Sequence, residues 1–233
     1  MLTVTNLTKS FTIHALGGER IAAIHDISFA VARGEFLALA GPSGAGKSTV
    51  LKCLYRTYLP ERGEIRYDSE QFGSVDLAAA SERQVLAIRQ RELGYVSQFL
   101  QVIPRVTARE VIMEPILSRN GVTGDEARAR AEELLERLRI PSRLWDAYPL
   151  TFSGGEQQRI NIARAIAWRP RLLLVDEPTA SLDAASIDIV LEMLDELRRA
   201  GTTLVGIFHD PEIMQRVATR CYPLASLETA CHV

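Results

Sequence analysis

The sequence predicts an α/β fold from two patterns and one motif. Three runs, Glu35-Phe-Leu-Ala-Leu-Ala40, Arg171-Leu-Leu-Leu-Val175 and Thr203-Leu-Val-Gly-Ile207, are almost wholly apolar, as parallel strands covered on both faces must be. Between the last two, Ile187, Val190, Leu191, Leu194 and Leu197 recur at helical spacing and form one apolar face. The motif runs through Gly41, Pro42, Ser43, Gly44, Ala45, Gly46, Lys47 and Ser48, a complete G-x-x-x-x-G-K-[ST]. It joins the first of those strands to a helix-like segment from Thr49 to Tyr58, where Val50, Leu51, Leu54 and Tyr58 share a side.

The remaining elements follow in order. Residues 2–40 read as short alternating strands, with turns at Gly17-Gly18 and Arg33-Gly34. Residues 62–68 carry another strand pattern, 69–80 are irregular, and Ser81 to Arg91 is helical. Gly94-Tyr-Val-Ser97 reads as a short buried strand. From Val106 to Trp145 the spacing is helical, and Thr123-Gly-Asp-Glu126 forms a capping box ahead of Ala127, Ala131, Leu134, Leu135 and Leu138. No repeat, low-complexity tract or linker divides the chain.

Composition narrows the class. The 233 residues are 47% hydrophobic, enough for one large core, and the formal net charge of −2 gives no global attraction to nucleic acid or anionic lipid. Three cysteines, Cys53, Cys221 and Cys231, lack C-x-x-C spacing and cannot all pair, which suits a reducing cytoplasm. The N-terminus lacks a signal-peptide pattern, and no apolar run approaches the ~20 residues that span a bilayer. Direct membrane insertion is therefore not expected. His14, His25 and His232 are read as surface or core residues rather than ligands.

The chemistry of the motif follows from its parts. Glycines let the backbone wrap so that successive N–H groups point at phosphate oxygens, and the helix that follows offers its positive end to the same charge. Lys47 is placed to reach the β- and γ-phosphates, and the Ser48 hydroxyl to bind Mg²⁺. A nucleoside triphosphate is the expected ligand. The strand Leu172-Leu-Leu-Val-Asp176 ends in a second carboxylate, Glu177, at the edge where α/β sheets hold ligands. Asp176 is positioned to hold the metal, directly or through water, and Glu177 to act as base for an attacking water.

Ahead of that strand lies Thr151-Phe-Ser153-Gly154-Gly155-Glu156-Gln-Gln-Arg159, which resembles the signature motif of ATP-binding cassette (ABC) ATPases. The family's other motifs stand in order: Gln98 matches the Q-loop glutamine, Ser181-Leu-Asp183 the D-loop, and His209 the switch histidine. Phe11 falls where the family stacks an aromatic on adenine, and Thr49 closes the phosphate loop. The resemblance implies a RecA-like phosphate-loop core with an antiparallel β subdomain over 1–97 and 150–225 and a helical subdomain over 98–149, while the tail, 226–233, has little pattern and is expected to be disordered. It also implies that two cassettes, identical or different, dock head to tail and sandwich ATP and Mg²⁺. Each nucleotide would then touch one phosphate loop and the opposing Ser153, Gly154, Gly155 and Glu156. Lys47, Glu177 and His209 become the catalytic residues, and Ser48, Gln98 and Asp176 those at the metal.

One departure is visible. The common signature ends in Gln, whereas Glu156 stands here, and Ser153-x-x-Glu156 is itself a capping box that would fold the carboxylate back onto the Ser153 backbone N–H. The segments between the motifs, including Tyr55-Arg-Thr-Tyr-Leu-Pro60, Gly94 through Arg105, Arg143-Leu-Trp145 and Gly206-Ile-Phe-His-Asp210, resemble one subfamily, the PhnL-type subunits of the bacterial carbon–phosphorus lyase system. That resemblance implies soluble lyase subunits as partners and a role in forming ribose 1-methylphosphonate 5-triphosphate. The alternative is the cytosolic ATPase of a transporter, because Ser97-Gln-Phe99 followed by Ile103-Pro104 also occurs in lipoprotein-release and macrolide-export cassettes. A DNA-repair or chromosome ATPase is disfavoured, since only about a hundred residues, without heptads or a metal cluster, separate phosphate loop and signature.

Overall fold

The computed structural model describes residues 1–13, 19–98, 100, 104–119 and 121–225. The turn at Gly17-Gly18, His14, Phe99, Ile103, Cys231, His232 and the tail 226–233 lie outside the described residues.

Two sheets form the frame. β1 (Leu2–Ile13), β2 (Glu19–Val31), β4 (Arg62–Ser69) and β5 (Gly73–Asp76) make an antiparallel sheet of order β2-β1-β4-β5. The second sheet is parallel, of order β6-β7-β8-β3-β9, from β3 (Phe36–Ala40), β6 (Leu93–Val96), β7 (Leu172–Asp176), β8 (Thr203–Ile207) and β9 (Arg220–Pro223). Alternation along the buried strands explains why they are apolar throughout. Leu172 and Leu174 face one core with Leu37, Leu39 and Val205, while Leu173 and Val175 face another with Phe36 and Leu204.

Helix α1 (Lys47–Leu54) lies in the first core, its Val50, Leu51 and Leu54 packed with Leu2, Leu7, Ile65 and Tyr67 of the antiparallel sheet. The second core is helical. It holds the apolar faces of α3 (Ala108–Leu117), α4 (Gly124–Arg137), α5 (Gly154–Ile166) and α6 (Ala184–Arg199). The capping box expected at Thr123 and Glu126 is present, and Ser81 caps α2 (Glu82–Arg91) in the same way.

The structure departs from the sequence pattern in four places. Residues 2–13 and 19–31 form two long strands rather than several short ones, because bulges in the β1–β2 register let one ribbon bend without ending. Helix α1 stops at Leu54, where Arg56 takes a left-handed φ of 62°. The irregular stretch 69–80 contains β5, and β9 was not expected at all. β9 has little apolar signal, since Arg220 and Cys221 are exposed on the sheet edge.

A buried tie joins the two sheets. Glu92, 3% exposed just before β6, accepts hydrogen bonds from Ser69 Oγ at 2.7 Å, Tyr67 OH at 3.0 Å and the Glu70 amide at 3.1 Å. Arg171 adds an ion pair at 3.3 Å. Burial pushes the Glu92 carboxyl up, but these donors more than offset it and hold it below the usual range. An apolar residue of the same size would leave the donors of β4 and the following turn unpaired.

Candidate functional site

The site gathers at the C-terminal ends of β3, β6 and β7, where the parallel sheet opens between strands. β3 ends at Ala40, and the phosphate loop follows directly. Residues 41–44 are exposed, Ala45 is buried beneath them, and α1 starts at Lys47. The loop rests on β9: the Leu224 amide donates to Ala40 O at 2.7 Å, and a Cβ on Gly41 would lie 2.5 Å from Leu224 O. Only glycine fits that approach. The Lys47 ammonium donates to Gly41 O at 2.7 Å and Pro42 O at 2.8 Å, so it lies across the loop mouth rather than in solvent.

Ser48 and Asp176 meet as the motif spacing requires. Ser48 Oγ donates to Asp176 Oδ1 at 3.0 Å, although the two stand on different elements, α1 and β7. A hydroxyl and a carboxylate at that separation are hard oxygen donors, suited to Mg²⁺ with water and phosphate completing the shell. Asp176 is 5% exposed, and its second oxygen accepts from Tyr95 OH at 3.0 Å.

Glu177 leaves the sheet in a left-handed conformation, φ 50°, while its amide donates to Ile207 O at 3.1 Å. That φ is uncommon for a non-glycine residue and is sustained here by the clamp to β8. Gln98, exposed after β6, donates from Nε2 to Glu177 Oε2 at 3.4 Å. Lys47, Ser48, Asp176, Glu177 and Gln98 therefore converge on one edge. His209 follows β8 and is exposed.

Phe11 is half-buried on β1 and meets Tyr58 edge to face, ring centroids 5.0 Å apart, with Lys9 Nζ 5.3 Å from its ring centroid. The signature forms the N-terminus of α5, with Ser153 as its cap. Ser153 and Gly154 are exposed, and nothing lies within 4 Å of a Cβ built on Gly154. A Cβ on Gly155 would stand 2.9 Å from Ser181 O, so the second glycine is required by the close approach of the D-loop. Glu156 folds back as the capping box expects, and its carboxyl is held low by the Ser153 hydroxyl and amide. Asp183 caps α6 by accepting from the Ser186 amide at 2.8 Å.

Sequence reading missed three polar residues of this region. Gln158 and Asn161 are buried on α5; Gln158 Nε2 donates to Pro178 O at 3.3 Å and Asn161 Nδ2 to Ser97 O at 2.7 Å. They tie the signature helix to the segments bearing Gln98 and Glu177. Polar residues three apart on an otherwise apolar face were the available signal. Tyr95 is the third, hidden within a strand pattern that reads as apolar.

Residues 24–180 match the family model described as ABC transporter. The chain belongs to the ABC transporter family. This ABC chain is 36% identical over 216 residues to the uncharacterized ABC transporter ATP-binding protein YvrO of Bacillus subtilis (strain 168), spanning 93% of this chain and 90% of YvrO. It is 39% identical over 201 residues to the lipoprotein-releasing system ATP-binding protein LolD of Bordetella pertussis (strain Tohama I), spanning 86% and 84%. Its structure is similar to the dimeric post-hydrolysis state of the ATP-binding cassette MJ0796 bound to ADP and Pi, with TM-score 0.87, 31% identity and 97% of each chain covered. The fold is thus that of an ABC ATPase cassette. The lyase-subunit resemblance finds no support in these relatives, whose names are those of transporter cassettes. Among the described residues, no helix is long and apolar enough to cross a membrane.

Proposed function

We propose that this chain is the ATP-hydrolysing cassette subunit of a transporter-type assembly, working in the cytoplasm as a dimer of cassettes. The carrying observation is the Ser48–Asp176 contact of 3.0 Å beneath a phosphate loop whose Lys47 spans the mouth. Loop amides and Lys47 bind the phosphates, and Phe11 offers a ring face to the base. Ser48 and Asp176, with Gln98 close by, would hold Mg²⁺, which when bound would supply charge neutralisation to the triphosphate. Glu177 accepts a proton from the attacking water, and His209 steadies the transferring group.

The signature needs a second cassette. Ser153 and the amides of Gly154 and Gly155 present an anion-binding helix end toward solvent, and another copy or a sister cassette brings a γ-phosphate to it. Losing that phosphate on hydrolysis removes the contact that joins the halves. Partners are expected to grip the region after Gln98. There Arg105, Val106, Met113 and Leu117 line a groove of about 660 Å³ beside α3.

The lipoprotein-releasing relative supports transport as the work done. A second reading rests on the segments between the motifs, which resemble the phosphonate carbon–phosphorus lyase subunits and imply soluble partners. Affinity purification from the source cells separates the two: a co-purifying membrane subunit supports transport, and soluble lyase subunits with growth failure of Lys47→Ala on methylphosphonate support the other. MgATP hydrolysis at wild-type rate by Lys47→Ala would overturn both.

A further inference from the structure

We propose that Tyr95 is a positioning residue for Asp176: its hydroxyl fixes one carboxylate oxygen so that the other faces Ser48 and the metal. The proposal rests on the triphosphate site above. Asp176 has two oxygens with separate partners, Oδ2 bonded to Tyr95 OH at 3.0 Å and Oδ1 to Ser48 Oγ at 3.0 Å. Asp176 is almost wholly buried at the end of β7, so the carboxylate plane is set by these donors rather than by water. A carboxylate free to rotate would offer its oxygens to the metal in several poses, whereas a phenol on Oδ2 selects one.

The tyrosine is itself held. It stands on β6, paired in register with Leu174 of β7 two residues before Asp176, so both residues project from neighbouring strands toward one edge. Its ring packs tilted against Tyr55, centroids 4.8 Å apart, and the Arg89 guanidinium lies 3.9 Å from the Tyr55 centroid. This stack runs from α2 across the end of α1 to the metal-facing carboxylate. A phenylalanine would keep every ring contact and lose only the hydroxyl. The hydroxyl therefore bears on the carboxylate, and the ring on the packing.

The test titrates Mg²⁺ into protein with a fluorescent ATP analogue and repeats nucleotide binding in EDTA. Tyr95→Phe should bind nucleotide in EDTA as the wild type does, and raise half-saturating Mg²⁺ about tenfold, the low end of losses seen when an outer partner of a metal-holding group is removed. Added to Asp176→Ala, the same substitution should produce no further shift. Superimposed Mg²⁺ titrations of Tyr95→Phe and wild type would overturn the proposal. Equal weakening with and without Mg²⁺ would do so as well, since that marks a role in packing alone. Failure of the underlying site is read separately, from Lys47→Ala binding nucleotide as tightly as the wild type.

Discussion

Ser153 and Glu156 hold each other at the tip of α5: the serine hydroxyl donates to Glu156 Oε2 at 2.7 Å, and the Glu156 amide donates to Ser153 Oγ at 3.3 Å. The carboxylate thus sits beside the Ser153 amide at the exposed helix end, where the proposed function brings a phosphate. Its hydrogen bonds from Ser153 keep it ionised at neutral pH. Glu156→Gln retains the cap geometry and removes the charge. Nucleotide-driven dimerisation, read by sedimentation velocity in MgATP, should strengthen about threefold, as expected for relief of one exposed like-charge contact. An unchanged dimerisation constant would show that the carboxylate does not oppose nucleotide.

Glu177→Gln keeps the size of the side chain and abolishes its basicity. ATP binding should persist, turnover should fall by about 10² or more, and an ATP-bound dimer should accumulate on size exclusion. Full turnover in this variant would remove Glu177 as the base.

The two signature glycines should respond oppositely to alanine. Gly155→Ala drives a methyl to within 2.9 Å of Ser181 O and is expected to cost about 1–3 kcal/mol of stability. Gly154→Ala meets open space at the start of a helix and should leave the melting temperature equal or raised. Matched melting temperatures for the two variants would contradict the close approach of the D-loop.

Glu92 carries a pH signature. Its folded pKa lies below the ordinary glutamate range, so the unfolded chain takes up the proton first as pH falls. The stabilisation is complete above about pH 5 and is lost as acid titrates the folded carboxylate below its unfolded value. Glu92→Gln should lower stability by about 1–2 kcal/mol at pH 7, since its charge-assisted hydrogen bonds become neutral ones while Arg171 keeps Glu70, and should flatten the melting-temperature profile below pH 5. Parallel profiles for variant and wild type would rule out this source of acid sensitivity.

Much of the site was legible because it is local in sequence. Gly41 to Gly46 lies on one turn between β3 and α1, which Lys47 and Ser48 open, and the Asp176-Glu177 pair ends a strand that is apolar on both faces. The alternation of Leu172, Leu173, Leu174 and Val175 between two cores shows why that strand could be read without knowing its neighbours. What stayed hidden depends on pairing between distant segments. Tyr95 gains meaning only because β6 lies beside β7, and Gln158 and Asn161 only because α5 crosses beneath the residues flanking Gln98 and Glu177. β9 is an edge strand with exposed polar residues, which no periodicity marks. Phe11 meets Tyr58 for a similar reason, since β1 passes the end of α1.

β9 also sets an order of events during synthesis. Ala40 and Gly41 lie far upstream in sequence of the backbone they lean on, Pro223 and Leu224. A nascent polypeptide therefore carries an unfinished cradle until Pro223 and Leu224 have left the ribosome, and long-range closure of this kind is slow. Loop geometry and completion of the sheet edge are thus one event, since the backbone on which Gly41 leans arrives only with Leu224.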